Sequence, residues 1–157
     1  MSSLYYFDTS AVVKLYHREL GTDQVEALFA QVNNAVMISE LTVVELNSTV
    51  ARKLRTGEIN LDAYEVILKN FAEDCQHRFV IFPLSAAISQ KATDLLQKYG
   101  KTKALRTLDA LHLGACMSVS ATEGIIFVCA DTRLLEIATL ESIQVLNPEV
   151  PVERSPE

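Results

Sequence analysis

Residues 125–135 read Ile-Ile-Phe-Val-Cys-Ala-Asp-Thr-Arg-Leu-Leu, and this stretch decides the fold class. Six apolar residues rich in β-branched and aromatic side chains are too few for a buried helix and read as a strand. The acid that follows, with helix formers behind it, marks a strand-to-helix junction. Residues 4–14, Leu-Tyr-Tyr-Phe-Asp-Thr-Ser-Ala-Val-Val-Lys, repeat the arrangement with Leu4 to Phe7 as strand and Asp8 at the break. Moving outward, Ala35 to Ile38, Phe79 to Phe82 and Ile143 to Leu146 are further strand candidates, with the first two runs extending over 4–7 and 125–129. Between them the apolar spacing becomes helical: Val25, Leu28, Phe29 and Val32; Tyr64, Ile67, Leu68 and Phe71; Ile88, Ala92, Leu95 and Leu96. Strands alternating with one-faced helices predict an α/β domain in three α/β/α layers, with a central, mostly parallel sheet of about five strands.

The chain has 157 residues, 49% of them hydrophobic, and carries a formal charge of −6. That is enough to bury a core without disulfides or a structural metal, and too short for a second domain of ordinary size. One domain is expected over 1–146. Residues 147–157 hold three of the four prolines among polar residues and are expected to form a flexible tail. No apolar run approaches the length of a membrane span, and Met1-Ser-Ser-Leu4 has no basic leader pattern, so a cytoplasmic address and no membrane partner are expected. Cys75, Cys116 and Cys129 are scattered among apolar residues and read as buried, reduced thiols.

In a parallel sheet the ligand site lies beyond the carboxyl ends of the strands. Asp8 and Asp131 fall there, directly after strands. Glu45, in Leu41-Thr-Val-Val-Glu-Leu-Asn47, and Asp109, in Arg106-Thr-Leu-Asp-Ala-Leu-His-Leu113, lie near helix starts. Each acid has a local explanation: Asp8 and Asp131 as N-caps, Thr42 to Glu45 as a capping box, Asp109 as a charge favoured by the helix dipole. Together they say more. Glu45 and Asp109 lie in apolar helices, where an unpaired buried carboxylate is costly and a shared cation offsets the cost. Oxygen ligands with no His or Cys pattern select Mg²⁺ or Mn²⁺, ions usually completed by substrate phosphate, and this points to phosphoester chemistry.

Tyr6-Phe-Asp8-Thr-Ser10-Ala, the Glu45 helix, Leu108-Asp109-Ala-Leu-His-Leu113 and Ala130-Asp131-Thr-Arg-Leu134, in this order, resemble the PIN domains, and within them the VapC-type ribonuclease toxins. The resemblance spans residues 4 to 146. It implies a PIN-like fold, a homodimer, an acidic site of Asp8, Glu45, Asp109 and Asp131 with Mg²⁺ or Mn²⁺, an RNA substrate and a small antitoxin protein as partner. Where the family often has a hydroxyl residue before the last acid, this chain has Cys129-Ala130. Thr9, Ser10 and Thr132 then become the hydroxyls expected to orient the carboxylates.

Arg52, Lys53 and Arg55 on the Glu45 helix, and Lys101, Lys103 and Arg106 ahead of Asp109, are the candidates for RNA phosphate contacts. With a charge of −6 such contacts must be local. His112, three residues after Asp109, could orient a carboxylate or touch RNA, but reads first as a satisfied core or interface histidine. Tyr99-Gly-Lys-Thr102 is not a P-loop, since Leu95 stands where the first glycine belongs and a helix precedes it. A receiver domain is rejected because Phe79-Val-Ile-Phe-Pro-Leu84 lacks the phospho-accepting Asp. The remaining rival to a nuclease is a catalytically silent PIN scaffold that binds a protein partner.

Overall fold

The strand nearest the start of the chain, β1 (Leu4–Phe7), lies at the centre of the sheet, its backbone paired on both edges and its apolar side chains covered by helices on both faces. It pairs in parallel with β2 (Ala35–Ser39) and with β4 (Ile125–Val128); β3 (Phe79–Phe82) adds to β2 and β5 (Gln144–Leu146) to β4. The resulting order is β3-β2-β1-β4-β5, all parallel. The computed structural model describes residues 3–120 and 124–151. Each expected strand is present with ends within one residue of those read from the sequence.

Side chains alternate across the sheet as the period of two requires. Tyr5, Phe7, Val36 and Ile38 pack with α1 (Thr9–Val13), α2 (Thr22–Ala30), α3 (Glu40–Arg55) and α4 (Leu61–His77) through residues such as Val12, Val25, Leu46 and Phe71. Tyr6, Met37 and Phe127 pack on the other face with α5 (Ala86–Tyr99), α6 (Thr107–Ser120) and α7 (Thr132–Leu140). This is the three-layer α/β/α arrangement. Tyr6, Phe7 and Phe127 are fully buried, and burial of side chains this size contributes about 1.5–3 kcal/mol each. Among the described residues no helix is long and apolar enough to cross a membrane.

The chain runs one way from β1 through β2 to β3 and then crosses to β4 and β5 on the other side. The switch point therefore lies between β1 and β4, and the residues directly after those two strands flank it.

Three expectations need correction. Val32 is 97% exposed, because α2 ends at Ala30 and Gln31 turns extended, so the i, i+7 position never reaches the core. Cys116 and Cys129 are buried free thiols, but Cys75 is only half-buried. The segment after β5 is not free up to Val150. The buried Lys14 ammonium donates to Glu149 at 2.8 Å and to Glu19 at 3.0 Å, and Gln24 donates to the Val150 carbonyl at 2.9 Å. Gly21, at φ 88°, accommodates the strap: a Cβ there would stand 2.7 Å from the Pro148 carbonyl oxygen. Residues 152–157 of the expected tail lie outside the described residues. Glu149→Ala should lower unfolding stability by about 1–2 kcal/mol, less than a fully buried pair because the glutamate is one-third exposed. Denaturant titration measures it, and an unchanged midpoint would show that Glu19 alone satisfies Lys14.

Candidate functional site

Asp8 leaves β1 and becomes the N-cap of α1, its Oδ1 accepting from the Ala11 amide at 3.0 Å and from the Ser10 hydroxyl at 2.6 Å. Its own amide donates to the Val128 carbonyl at 3.2 Å, which fixes it beside the end of β4. Burial pushes the Asp8 carboxyl up, against the lowering effect of His112 and of its hydrogen bonds. Asp131 is the corresponding cap of α7, accepting from the Arg133 and Leu134 amides at 2.9 and 3.4 Å. Ser10 joins the two strand ends, since its hydroxyl donates to Asp8 and accepts from the Ala130 amide at 3.0 Å. Cys129 takes part as well: its sulfur accepts from the Asp131 amide at 3.3 Å. Capping and a place at the switch point are thus compatible for Asp8 and Asp131.

Glu45 is not part of a capping box. The cap of α3 is Ser39, whose hydroxyl accepts from Leu41 at 3.1 Å, and Glu45 stands in the following turn with Thr42 fully buried. Glu45 Oε1 accepts from the Thr9 hydroxyl at 2.8 Å and pairs with His112 Nε2 at 2.5 Å. Burial works against its charge, but the His112 and Thr9 contacts prevail and hold its carboxyl below the usual range. Asp109, in the first turn of α6, accepts from Arg106 Nε at 2.9 Å. The same guanidinium reaches Asp131 Oδ2 at 3.5 Å. Glu45, Arg106, Thr107, Leu108 and Asp109 line an open pocket of about 220 Å³.

Arg106 thus ties Asp109 to Asp131 and shares a pocket with Glu45, and Glu45 is bonded to the residue next to Asp8. Protein donors already meet all four acids, and among the described residues no three His, Cys, Asp or Glu side chains are grouped so as to hold a metal ion. The donor set itself is all oxygen, which suits a hard cation such as Mg²⁺.

The other candidates divide. Thr9 and Ser10 bond directly to Glu45 and Asp8. Thr132 is exposed and makes no side-chain hydrogen bond to a described residue, because Asp131 ahead of it already caps the helix. Lys53 is buried, with its ammonium 2.8 Å from Glu58, so it stabilises the end of α3 and is not free for phosphate. Lys103 pairs with Glu136 at 2.6 Å and Arg106 with the acids, whereas Arg52, Arg55 and Lys101 are exposed. His112, read first as a core residue, is 3% exposed yet bonded to Glu45. Its spacing of three from Asp109 was the one sequence signal for that role. Tyr6, which holds the other ring nitrogen at 3.0 Å, gave no signal at all.

A parallel α/β domain with carboxylates after both strands of its switch point is a defined class. Within that class the chain matches the PIN domain family over residues 5–140 and belongs to it. Comparison with curated protein sequences gave no match. Among solved structures it is similar to FitAcB from Neisseria gonorrhoeae, with a TM-score of 0.68 and 18% identity over 92% of this chain and 97% of that one. It is also similar to VapBC-1 from nontypeable Haemophilus influenzae, with a TM-score of 0.60 and 15% identity over 92% and 98%. A third is VapC20 from Mycobacterium tuberculosis, described as a sarcin-ricin loop cleaving toxin, with a TM-score of 0.63 and 16% identity over 84% and 93%. At these identities the likeness is one of fold.

Proposed function

We propose that this PIN domain is an Mg²⁺- or Mn²⁺-dependent endoribonuclease, with Asp8, Glu45, Asp109 and Asp131 as its acidic site. The observation that carries the reading is the pair Asp8 and Asp131 directly after β1 and β4, two neighbouring strands whose ends Ser10 joins by bonding to Asp8 and to the Ala130 amide. Asp8 is a buried acid as well as a cap, and a cation would offset the cost that burial places on its charge. A divalent ion held by these acids would supply an activated water and neutralise charge building on a phosphodiester oxygen. The chain's own residues supply the rest. Ser10 and Thr9 fix the rotamers of Asp8 and Glu45, and exposed Arg52 and Lys101 are available to position the phosphate backbone. Arg106 must release Asp109 and Asp131 for an ion to be held there, and is then free for substrate phosphate.

The VapC-like toxin role rests on the fold shared with toxin–antitoxin structures such as VapBC-1 and FitAcB. On this reading the protein acts in the cytoplasm as a homodimer, and a small antitoxin inserts a Lys or Arg among the acids. The test is incubation of the protein with a fluorogenic RNA in millimolar Mn²⁺ and in chelator. Cleavage only with metal is expected, together with growth arrest on expression and relief on co-expression of the antitoxin. No cleavage would return the chain to the reading as a protein-binding scaffold, and metal-independent cleavage would overturn the assignment of the four acids to a cation.

A further inference from the structure

His112 lies on α6 at the centre of a chain of buried polar contacts. Tyr6, fully buried on the central strand and stacked on Phe127 with ring centroids 5.7 Å apart, places its phenol oxygen 3.0 Å from His112 Nδ1. The other ring nitrogen, Nε2, lies 2.5 Å from Glu45 Oε1 and 3.2 Å from the Thr9 oxygen. The Glu45 carboxylate can only accept, so the hydrogen of that short contact sits on Nε2, and the Tyr6 phenol holds the ring from its opposite side at Nδ1. His112 therefore donates from Nε2 to Glu45. Thr9 donates to the same carboxylate oxygen. Both donors therefore grip Oε1, while Oε2 makes no hydrogen bond with a described residue and Glu45 lines the open pocket beside Asp109.

The orientation of this one carboxylate is thus set by residues buried in the core. Glu45 lies on a half-exposed helix face and has three side-chain torsions to fix, so without partners it would populate several rotamers. Tyr6 cannot move without disturbing the stacked core, and His112 cannot turn without losing its contacts to both the phenol and Glu45.

We propose that His112, held by Tyr6, is a positioning residue that locks Glu45 by one oxygen and presents the other to the pocket for a divalent cation. The proposal rests on the nuclease reading above, because it assigns Glu45 to the ion that site would take. It predicts that what matters at position 112 is a donor at the place of Nε2, and that shape or ring character matters less. A glutamine side chain can reach that place with its amide N–H, and a leucine fills similar volume with no donor.

The experiment compares wild type, His112→Gln, His112→Leu and Tyr6→Phe. It measures Mn²⁺ affinity by calorimetry on the metal-free protein, RNA affinity by anisotropy in chelator, RNA cleavage, and the unfolding midpoint. His112→Leu is expected to weaken Mn²⁺ binding by about 10–100-fold, the usual loss when a ligand's orienting partner is removed. Its cleavage rate should fall in parallel while metal-free RNA affinity stays the same. His112→Gln should recover most of both, and Tyr6→Phe should lose severalfold in the same direction. Mn²⁺ affinity unchanged in His112→Leu, or lost equally in His112→Gln and His112→Leu, overturns the proposal. Where His112→Leu does not fold, unchanged Mn²⁺ affinity in Tyr6→Phe overturns it instead. A wild type that neither binds Mn²⁺ nor cuts RNA sinks the nuclease reading itself, an outcome separate from one in which the wild type is active and the variants match it.

Discussion

Asp8→Asn is expected to reduce metal-dependent RNA cleavage by on the order of 10³-fold, a loss typical of removing one well-placed electrostatic group from an active site, while the fold stays intact. The substitution is chosen because it leaves the local structure little changed. Asn is about as good an N-cap as Asp, so the contact to the Ala11 amide survives, and the Ser10 hydroxyl can still donate to the side-chain oxygen. The charge is lost, along with one acceptor oxygen in contact with the Cys129 thiol. Burial raises the Asp8 pKa, and a carboxyl whose folded value lies above its unfolded value contributes stability that is complete below the unfolded pKa and lost as pH rises through the folded one. At neutral pH the ionised group is therefore a cost to folding. In chelator Asp8→Asn should have an unfolding midpoint equal to or above that of wild type. Activity lost with stability kept separates a catalytic acid from a cap. Cleavage near the wild-type rate would remove Asp8 from the site and weaken the case for the other three acids.

The second large effect is expected in the wild type. Metal at about a hundred times its dissociation constant should stabilise the native protein by roughly 2.7 kcal/mol, since the unfolded chain has no preformed site. The gain should be mostly absent in Asp109→Asn. In the metal-free protein Asp109 and Asp131 are satisfied by Arg106, at 2.9 and 3.5 Å, so an entering ion must displace a guanidinium that is 69% exposed and loses little on release to water. The measurement is denaturant unfolding of wild type and Asp109→Asn in chelator and in millimolar Mn²⁺. An equal response in both proteins would mean that the ion binds elsewhere, and no response in either would favour the silent-scaffold alternative.

Much of this architecture was legible in the sequence because its signals are local. The strand at 125–128 and the one at 4–7 are each declared by a short apolar run ended by an acid, and the caps at Asp8 and Asp131 follow from residue type alone. Alternating strands and helices were enough to imply a parallel sheet covered on both faces. The order β3-β2-β1-β4-β5 was not legible, because strand pairing leaves no periodic mark and the central pair, β1 with β4, joins residues more than a hundred positions apart. For the same reason the sequence could show that Asp8 and Asp131 sit after strands, but not that those strands are neighbours at the switch point.

Most of the remaining differences concern which partner a polar group meets. Lys53 and Arg52 are adjacent and alike in sequence, yet only Lys53 turns inward to Glu58, a choice made by where α3 packs. Lys14 is buried because Glu149 crosses from the far end of the chain to meet it, which an isolated reading of a Pro-rich terminus as tail could not foresee. His112 is a core residue by burial and a carboxylate partner by contact. Composition and spacing determined that an apolar helix would carry a histidine inward. Only the tertiary structure, by setting α6 against β1 and α3, decided that this histidine would meet Tyr6 on one side and Glu45 on the other.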